Sequence, residues 1–332
     1  MTQPLPLRYL SGADVVALMP PVAERLALAE ATLRGLAADA DLPAKIGVHP
    51  RTEQSFGHAM PAYLPGAAAD HTADRLGMKW VLGFPPNAAA ALPAISATLL
   101  LNDPVTGLIT AILDAGPITA DRTASVSGVA IRAFAAPAVS GKPRAALIGA
   151  GVQGHSHLPV LGYTLPGVDL SIYDRDPDRA AALAEAARRT PGIAAASVAA
   201  SARDAVEGAD VVVTAASFAS PKDRQQMTNA WLTPNALVVP VDYATMCAAE
   251  VARDAVLFAV DHRDQWLANR DAGQFDNYPD PGAMLGEVLD LAARPVGRIV
   301  AQHLGTGLAD VVFGTAIAAA ASAQNIGIVL PR

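Results

Sequence analysis

The feature that most constrains the fold is a glycine-rich loop, Gly149-Ala150-Gly151-Val152-Gln153-Gly154, which lies between an apolar run and a predicted helix. The run, Ala145 to Ile148, has the length and composition of a buried strand. In that setting the three glycines allow a tight turn, close approach of the backbone to a pyrophosphate, and close packing of helix on strand. The loop therefore predicts a dinucleotide-binding unit, and an ordinary βα turn is the alternative. The predicted cofactor-binding residues are Gly149, Gly151, Val152, Gln153 and Gly154.

An acidic residue stands where such a unit contacts the ribose of the cofactor. Asp174 ends the next apolar run, twenty residues after Gly154. Its carboxylate can accept hydrogen bonds from the ribose hydroxyls and repels a 2′-phosphate, which favours NAD. Arg175 follows directly, and an arginine there can accommodate a 2′-phosphate. NAD is thus the predicted cofactor, with NADP as the alternative.

The composition indicates a folded chain and argues against several classes of protein. Of 332 residues, 52% are hydrophobic and 17% charged, which excludes a disordered chain. The chain has 24 Lys and Arg against 31 Asp and Glu and no basic run, so no nucleic-acid partner is predicted. Its longest apolar runs, such as 92–101 and 315–323, are shorter than the roughly 18 residues of a membrane span. No membrane partner is predicted.

The location expected for the chain is cytoplasmic. Its first residues lack the positive segment and apolar core of a secretory signal, and its single cysteine, Cys247, cannot form an internal disulfide. The thiol is interpreted as a small buried hydrophobic group, with a redox site as the alternative.

Strands and helices alternate from Pro143 onward, which predicts a parallel sheet with crossover helices. In the first half, short apolar runs between residues 45 and 113 are punctuated by Gly and Pro, which indicates strands and turns. A hairpin loop is predicted at 102–107, and helices at 23–40 and 118–136.

The predicted fold class is α/β with two domains. Residues 141–305 are predicted to form a Rossmann-type dinucleotide-binding domain. Residues 1–140, completed by a C-terminal helix within 306–332, are predicted to form an α+β substrate-binding and dimerisation domain. A sheet shared across a two-fold axis would cover the strand edges of this domain, so a homodimer is predicted.

The first domain must supply the substrate side of the site, because about 140 residues precede the glycine loop. Its polar candidates include Lys45, Lys79, Arg122 and the histidines 49, 58 and 71. Lysine and arginine bind carboxylates by charge-assisted hydrogen bonds, so these residues point to an anionic small molecule. The alternatives are a surface lysine at position 79 and an exposed helix charge at position 122.

Nine blocks of the sequence resemble, in unbroken order, the ornithine cyclodeaminase and mu-crystallin family. The resemblance covers residues from about 45 to 325. It implies chemistry at an amino-acid Cα with a nicotinamide cofactor, since the family includes cyclodeaminases, archaeal-type alanine dehydrogenases and ketimine reductases. The blocks are AMPAYL, GMKWVLGFPPN, LNDPVTG, ITADRTASVSGVA, IGAGVQG, GADVVVTAAS, VDYATM, LGEVLDL and HLGTGLADVV.

The resemblance implies a role for several single residues. Lys79 matches the family's catalytic-site lysine, Arg122 the arginine that clamps the substrate carboxylate, and Asp242 the acid/base aspartate that follows a Rossmann strand. Lys45 falls where many members carry an arginine, which implies a second carboxylate contact through a point charge. Three further residues in the matching blocks are assigned to cofactor binding: Thr123, Ala216 and Ser217.

The expected activity is NAD(P)-dependent formation or reduction of an imine at the Cα of a small amino acid, by an imino acid reductase or an amino acid dehydrogenase. One alternative is a cyclodeaminase that releases ammonia and recycles its NAD. Cyclodeaminases typically continue after the aspartate with Pro-Gly-Lys, whereas this chain has Tyr243-Ala244-Thr245-Met246, which argues against ornithine. The other alternative is a crystallin-like binding protein without catalysis, but that branch lacks the aspartate that this chain has at 242.

The sequence contains two other polar features that could belong to a site. His155 and His157 invite interpretation as a metal site, but residues i and i+2 of a helix do not share a face, and no metal is predicted. Asp310, in HLGTGLADVV, is either a functional carboxylate or a charge near a helix N-terminus.

Overall fold

A computed structural model describes residues 6–52, 55–90, 92–138 and 141–331 of the chain. It divides into two compact units, of which the first comprises Met1–Arg122 and Gly305–Arg332, and the second Thr123–Leu304. The division between the units falls inside the helix Gly116–Phe134, whereas the sequence predicts the domain boundary near residue 140, after that helix.

The first unit contains a seven-stranded mixed sheet. Its strands lie in the order β15-β1-β6-β5-β4-β3-β2, and all neighbours are antiparallel except β1 and β6. With numbering in chain order through the whole molecule, its elements are β1 (Leu7–Leu10), α1 (Gly12–Ala17), α2 (Val22–Ala37), β2 (Ile46–Val48), β3 (Phe56–Leu64), β4 (Arg75–Gly83), β5 (Ile95–Asn102), β6 (Ile109–Asp114), α3 (Gly116–Phe134, which continues into the second unit), α10 (Gly307–Gln324) and β15 (Ile328–Leu330).

The centre of this sheet positions a lysine in the protein interior. Along β4, alternate residues are buried, as the two-residue period of a strand requires, and Lys79 belongs to the buried set. It lies opposite Met60 of β3 and Leu99 of β5. Helix α10 packs against these three strands, so the buried face of β4 is the face that this helix covers.

Several sequence predictions for this unit are confirmed. The hairpin between β5 and β6 has its loop at 103–108, where the Asp103 carboxylate accepts hydrogen bonds from the backbone and hydroxyl of Thr106. The two predicted helices are present as α2 and α3. Strands β1 and β15 were not predicted.

The C-terminal helix predicted within 306–332 is present as α10, and it is longer than the apolar run at 315–323, which by itself is too short to span a membrane. It has 18 residues and a mean hydropathy of 1.3, so its length and composition alone would allow it to cross a membrane. Within the first unit, however, it packs against the sheet and α2, and 56% of its span is buried. Those contacts are those of a core helix.

The second unit contains an eight-stranded sheet in which every neighbouring pair is parallel. The strand order is β13-β12-β14-β11-β10-β7-β8-β9. Its elements are β7 (Arg144–Ile148), α4 (Val152–Thr164), β8 (Val168–Tyr173), α5 (Pro177–Arg188), β9 (Ile193–Val198), α6 (Ala202–Val206), β10 (Val211–Thr214), β11 (Leu237–Pro240), α7 (Ala249–Arg253), β12 (Leu257–Val260), α8 (Arg263–Asp271), β13 (Ala283–Met284), α9 (Leu285–Val288) and β14 (Ile299–Gln302).

This sheet confirms the predicted α/β fold class. Strands β10 and β11 are buried along their whole length, as expected for parallel strands covered on both faces. The order reverses between β7 and β10, and in open parallel sheets ligands bind at the carboxyl ends of the strands beside such a reversal. Cys247 is buried, and burial raises the pKa of its thiol to about 12, in agreement with its interpretation as a small hydrophobic group.

Candidate active site

The glycine-rich loop follows β7 and leads into α4. Gly149 has φ +107°, and a Cβ there would lie 2.3 Å from the carbonyl oxygen of Ala215. A Cβ on Gly154 would lie 2.3 Å from the carbonyl oxygen of Gly149. Gly151, the N-cap of α4, instead faces open space, with no atom within 4 Å of its Cβ position. Backbone atoms therefore fill the space beside Gly149 and Gly154, whereas the space beside Gly151 is open. This open space lies at the N-terminus of α4, where backbone N–H groups favour an anion.

Asp174 braces this loop. Its Oδ2 accepts a 2.6 Å hydrogen bond from the Ala150 N–H, and its Oδ1 accepts one from the Asp176 N–H at 2.9 Å. Arg175, the next residue, is exposed. Asp174 thus joins the end of β8 to the glycine loop.

The remaining predicted cofactor residues also lie in the second unit. Val152 and Ser217 are exposed and Gln153 is half-buried, whereas Thr123 is buried. Ala216 follows β10 and donates its backbone N–H to Asp242.

A buried hydrogen-bond chain lies behind the loop. His157 of α4 bonds through Nδ1 to the carbonyl of Gln153 (2.6 Å) and through Nε2 to the Ser127 hydroxyl (2.8 Å). Burial lowers the pKa of His157 to about 4. Because a carbonyl only accepts, Nδ1 carries the proton, and the Ser127 hydroxyl donates to Nε2. The same hydroxyl lies 2.8 Å from Nε2 of His303, which therefore donates to it.

His155, two residues before His157, is exposed, so the two histidines lie on different sides of α4. Among the residues that the structure describes, no three His, Cys, Asp or Glu side chains are grouped to hold a metal ion.

Asp242 lies two residues beyond β11, at the carboxyl edge of the parallel sheet. It is 2% exposed. The Thr214 hydroxyl donates to its Oδ1 at 2.8 Å, and the Ala216 N–H donates to its Oδ2 at 3.1 Å. Burial raises the pKa of Asp242 to about 7, although both hydrogen bonds oppose that shift. A carboxyl group with this pKa can gain or lose a proton near neutral pH.

The residue after Asp242 holds a rare backbone conformation. Tyr243 has φ +59°, in the left-handed region that residues other than glycine seldom occupy. Its carbonyl accepts a 2.9 Å hydrogen bond from Gln302, and its ring stacks on Phe275 and meets the edge of Phe218. Such strain is concentrated at functional sites. The positive φ of Tyr243 could not be predicted from the sequence, because the residue at this position is not a glycine.

A separate cluster of charged residues lies in the first unit. Lys79 Nζ is 2.6 Å from Oδ2 of Asp310, and Arg122 Nε is 3.2 Å from Oδ1 of the same carboxylate. All three side chains are buried, with Asp310 at 0% exposure. Lys79 also donates to the Thr119 hydroxyl at 3.3 Å, and that hydroxyl donates to the Ala115 carbonyl. Lys79 is therefore not a surface lysine, and Arg122 is not an exposed helix charge.

Burial lowers the pKa of Lys79 to about 7, because desolvation disfavours the ammonium form. Asp310 opposes this shift, whereas the positive charges of Arg122 and Lys45 add to it. Lys45 is half-buried in the segment before β2 and acts on Lys79 through its charge. The three cations predicted from the sequence thus belong to one electrostatic cluster.

Two further residues belong to this cluster: Gly305, which was not predicted from the sequence, and His58, which was one of the polar candidates but had no assigned role. Gly305 has φ +73°, and a Cβ there would lie 2.2 Å from Nη1 of Arg122, so the guanidinium rests against the Gly305 backbone. His58 has its pKa lowered to about 4, first by burial and then by Lys45, His49 and Lys79. The register of β3 on β4 could have indicated His58, because it pairs with Val81, two residues from Lys79 on the same face.

Comparison with known proteins places the chain among related sequences. It is 38% identical to the nodulation efficiency protein NfeD of Rhizobium meliloti over 213 residues, a match that spans 64% of this chain and 62% of NfeD. It is 29% identical to the ketimine reductase mu-crystallin of Mus musculus over 278 residues, spanning 81% of this chain and 82% of that protein.

A solved structure shows the same fold. The Δ1-pyrroline-2-carboxylate reductase of Thermococcus litoralis, solved in complex with NADH and L-proline, superimposes with a TM-score of 0.82. The match has 24% sequence identity and covers 97% of this chain and 100% of that one. The family model described as "Ornithine cyclodeaminase/mu-crystallin family" matches residues 12–316. The chain therefore belongs to the ornithine cyclodeaminase/mu-crystallin family.

Proposed function

We propose that this protein is an NAD-dependent oxidoreductase that reduces, or forms, an imine at the Cα of a small amino acid. The observation that carries the proposal is Asp242, a buried carboxyl group with a pKa near 7 at the same sheet edge as the glycine loop. Strands β7, β10 and β11 are neighbours in one parallel sheet. The loop follows β7, Ala216 follows β10 and Asp242 follows β11.

The glycine loop fits a dinucleotide. Gly149 and Gly154 leave no room for a side chain, while Gly151 opens the N-terminus of α4 to a pyrophosphate. Asp174 supplies carboxylate oxygens at the end of β8, where the ribose is bound in such folds, which supports NAD over NADP. Bound NAD(H) would supply or accept the hydride.

Asp242 is proposed to exchange the proton with the imine nitrogen. An imine accepts hydride readily at carbon when its nitrogen is protonated, and the reverse reaction needs a base for the same proton. A pKa of about 7 suits a group that must act as an acid in one direction and as a base in the other. Thr214 and Ala216 hold the carboxyl group in one orientation.

The cations of the first unit are proposed to bind the substrate carboxylate. Arg122 and Lys79 are buried on the same carboxylate, and Lys45 adds a third positive charge. A carboxylate is the anion that an amino acid and its imine share. Arginine binds it through parallel N–H donors, and lysine adds a point charge.

The names of the related proteins support reduction of an imine. Mu-crystallin of the mouse is a ketimine reductase, and the Thermococcus protein reduces Δ1-pyrroline-2-carboxylate. The sequence Tyr243-Ala244-Thr245-Met246 after Asp242 departs from that of ornithine cyclodeaminases. We therefore favour reduction of an imine over cyclodeamination.

A homodimer is also proposed. The face of the seven-stranded sheet opposite α10 carries large apolar side chains that are only partly buried in a single chain, including Met78, Trp80, Leu82, Leu100 and Ile112. A second copy of this sheet is the partner that would cover them.

A substrate panel tests the function. The protein is incubated with NADH and Δ1-pyrroline-2-carboxylate, or with pyruvate plus ammonia or methylamine, and separately with NAD and L-proline, L-alanine, L-ornithine or L-lysine. Net oxidation of NADH with formation of an amino acid is expected. Ammonia release from ornithine or lysine without net change in NADH would show cyclodeamination instead. Binding of NADH without turnover of any pair would leave the crystallin-like alternative.

A further inference from the structure

Asp310 is the buried anion of the first unit's charged cluster. It lies in the first turn of α10, where the helix dipole stabilises a negative charge. One of its oxygens contacts Lys79 and the other contacts Arg122. A carboxylate that only stabilised a helix N-terminus would need no such partners. The two contacts therefore favour a functional carboxylate.

The three groups form a unit of defined charge. Two cations and one carboxylate leave a single net positive charge among buried side chains, and one carboxylate ligand would balance it. An ammonium group has three N–H donors, and Asp310 and Thr119 account for two of those of Lys79. Arg122 uses its Nε on Asp310, and a guanidinium has four further N–H donors.

We propose that Asp310 is a positioning residue, whose carboxylate holds Lys79 and Arg122 side by side as one carboxylate-binding pair. This inference rests on the proposed function for the identity of the ligand. Lys79 belongs to β4, Arg122 to α3 and Asp310 to α10. The Asp310 carboxylate contacts both cations. Without the carboxylate, the two cations would repel each other in a buried setting.

The charges around Lys79 determine how this proposal depends on pH. Asp310 on α10 favours the ammonium form, whereas Arg122 on α3 and Lys45 before β2 disfavour it, as does burial. His58 on β3 faces the same cluster and is itself affected by the Lys79 charge. Thr119 on α3 offers a neutral hydroxyl. Asp310 is thus the group that opposes loss of the proton, and removing its charge must lower the pKa of Lys79.

The experiment compares Asp310→Asn with the wild type between pH 5.5 and 9. The first measurement is the KM for Δ1-pyrroline-2-carboxylate at saturating NADH. The second is the free energy of unfolding in urea without substrate, which reports the protonation of Lys79 whether or not the enzyme turns over. Asp121→Asn is the matched control, because Asp121 pairs with Arg25 in the same unit and lies one residue before Arg122.

The ratio of variant to wild-type KM is expected to be small near pH 5.5 and to rise about tenfold or more by pH 7.5, as Lys79 loses its proton earlier in the variant. The onset of the Lys79 contribution, seen as the pH at which the fall in stability caused by Asp242 stops, should move down by about one unit or more. Asp121→Asn should change neither the pH dependence of the KM nor the pH profile of stability. A KM ratio that is the same at every pH, together with an unshifted stability profile, would overturn the proposal. A shifted stability profile in a protein that turns over no imine supports Asp310 and refutes the proposed function.

If Asp310→Asn does not fold, Asp310→Glu decides the question. The longer side chain keeps the charge but displaces it, so the KM should rise at least about threefold at every pH while the stability profile keeps its onset. A glutamate variant with unchanged KM, or with a shifted onset, would contradict the proposed role.

Discussion

Each unit buries one ionisable side chain whose pKa lies near 7, but the two reach that value from opposite directions. Burial lowers the pKa of Lys79 in the first unit and raises that of Asp242 in the second. Lys79 has a charged partner, Asp310, which offsets part of its desolvation. Asp242 is held by a hydroxyl and a backbone N–H, both neutral.

The difference in partners separates a binding role from a proton-transfer role. A cation held by a fixed carboxylate keeps its charge more easily, and a bound substrate carboxylate would favour that charge further. A carboxyl group with only neutral donors can lose its proton without breaking an ion pair. We therefore propose substrate binding for Lys79 and acid/base chemistry for Asp242, and the following predictions test these two roles.

The largest effect is expected from Asp242→Asn. The substitution keeps the size of the side chain but removes the titrating group, so kcat should fall by about 10² to 10⁴, the range typical of general acid–base catalysis. The amide oxygen of the variant can accept from the Ala216 N–H, and its N–H can donate to the Thr214 hydroxyl, which donates in the wild type. Steady-state kinetics with NADH and the best imine of the panel measure kcat, and the pH profile should lose one limb. Fluorescence titration should show little change in NADH affinity. A variant that keeps more than about a tenth of kcat would show that Asp242 is structural.

The next effect concerns binding by the first unit. Arg122→Ala removes one partner of a buried charged cluster, which typically costs about 2 to 5 kcal/mol, or roughly 30-fold to several thousand-fold in affinity. The loss should appear in the KM for the imine and leave the Kd for NADH nearly unchanged. Arg132→Ala, on the same helix, serves as a control for loss of an arginine from α3. The carboxylate clamp is wrong if amines without a carboxylate react as well as acids.

A smaller effect is expected in the pH dependence of stability, where the two groups have opposite signs. Asp242 has a folded-state pKa above its ordinary value of 3.8, so the native state binds more protons and stability falls as pH rises from about 4 to about 7. Lys79 has a folded-state pKa below 10.5, so the unfolded state binds more protons and stability rises from about 7 upward. Together these groups predict a minimum in stability near pH 7.

Urea unfolding of two variants distinguishes the fall in stability below pH 7 from the rise above it. Asp242→Asn should flatten the fall on the acidic side and Lys79→Met the rise on the alkaline side, each by up to about 1.4 kcal/mol per pH unit. Each variant should leave the other limb in place. If neither limb changes, the two groups do not titrate near neutral pH in the folded protein.

Local patterns in the sequence were sufficient for much of the fold. The β5–β6 hairpin lies within one short stretch whose residues contact one another, and the strands of the parallel sheet are each marked by a local apolar run, so both predictions are confirmed. Strands β1 and β15 escaped prediction because each is only three or four residues long and they pair across almost the whole chain.

The charged cluster of the first unit likewise depends on contacts between distant parts of the chain, which the sequence does not reveal. Lys79 and Arg122 could be named from the sequence, through the family resemblance, but the role of Asp310 stayed open between a functional carboxylate and a helix-terminal charge. Its partner Arg122 lies 188 residues away, and no pattern of spacing connects them. Tyr243, whose backbone conformation is rare, likewise has its partners Gln302 and Phe275 elsewhere in the chain.

The choice of cofactor extends the comparison to a third ionisable side chain, Asp174. Asp174 accepts backbone N–H hydrogen bonds as Asp242 does, but it is half-buried rather than buried, so its carboxylate is accessible to a ribose. Asp174→Ala should weaken NADH by about 1.5 to 3 kcal/mol, as for a hydrogen bond to a charged group, and weaken NADPH less because a repulsive charge is lost. Titration with both cofactors measures the ratio. Arg175→Ala is the paired variant, and it should weaken NADPH alone, because only the 2′-phosphate would contact an arginine there. If wild-type protein binds NADPH as tightly as NADH, Asp174 serves to brace Ala150 of the glycine loop and Arg175 determines the choice of cofactor.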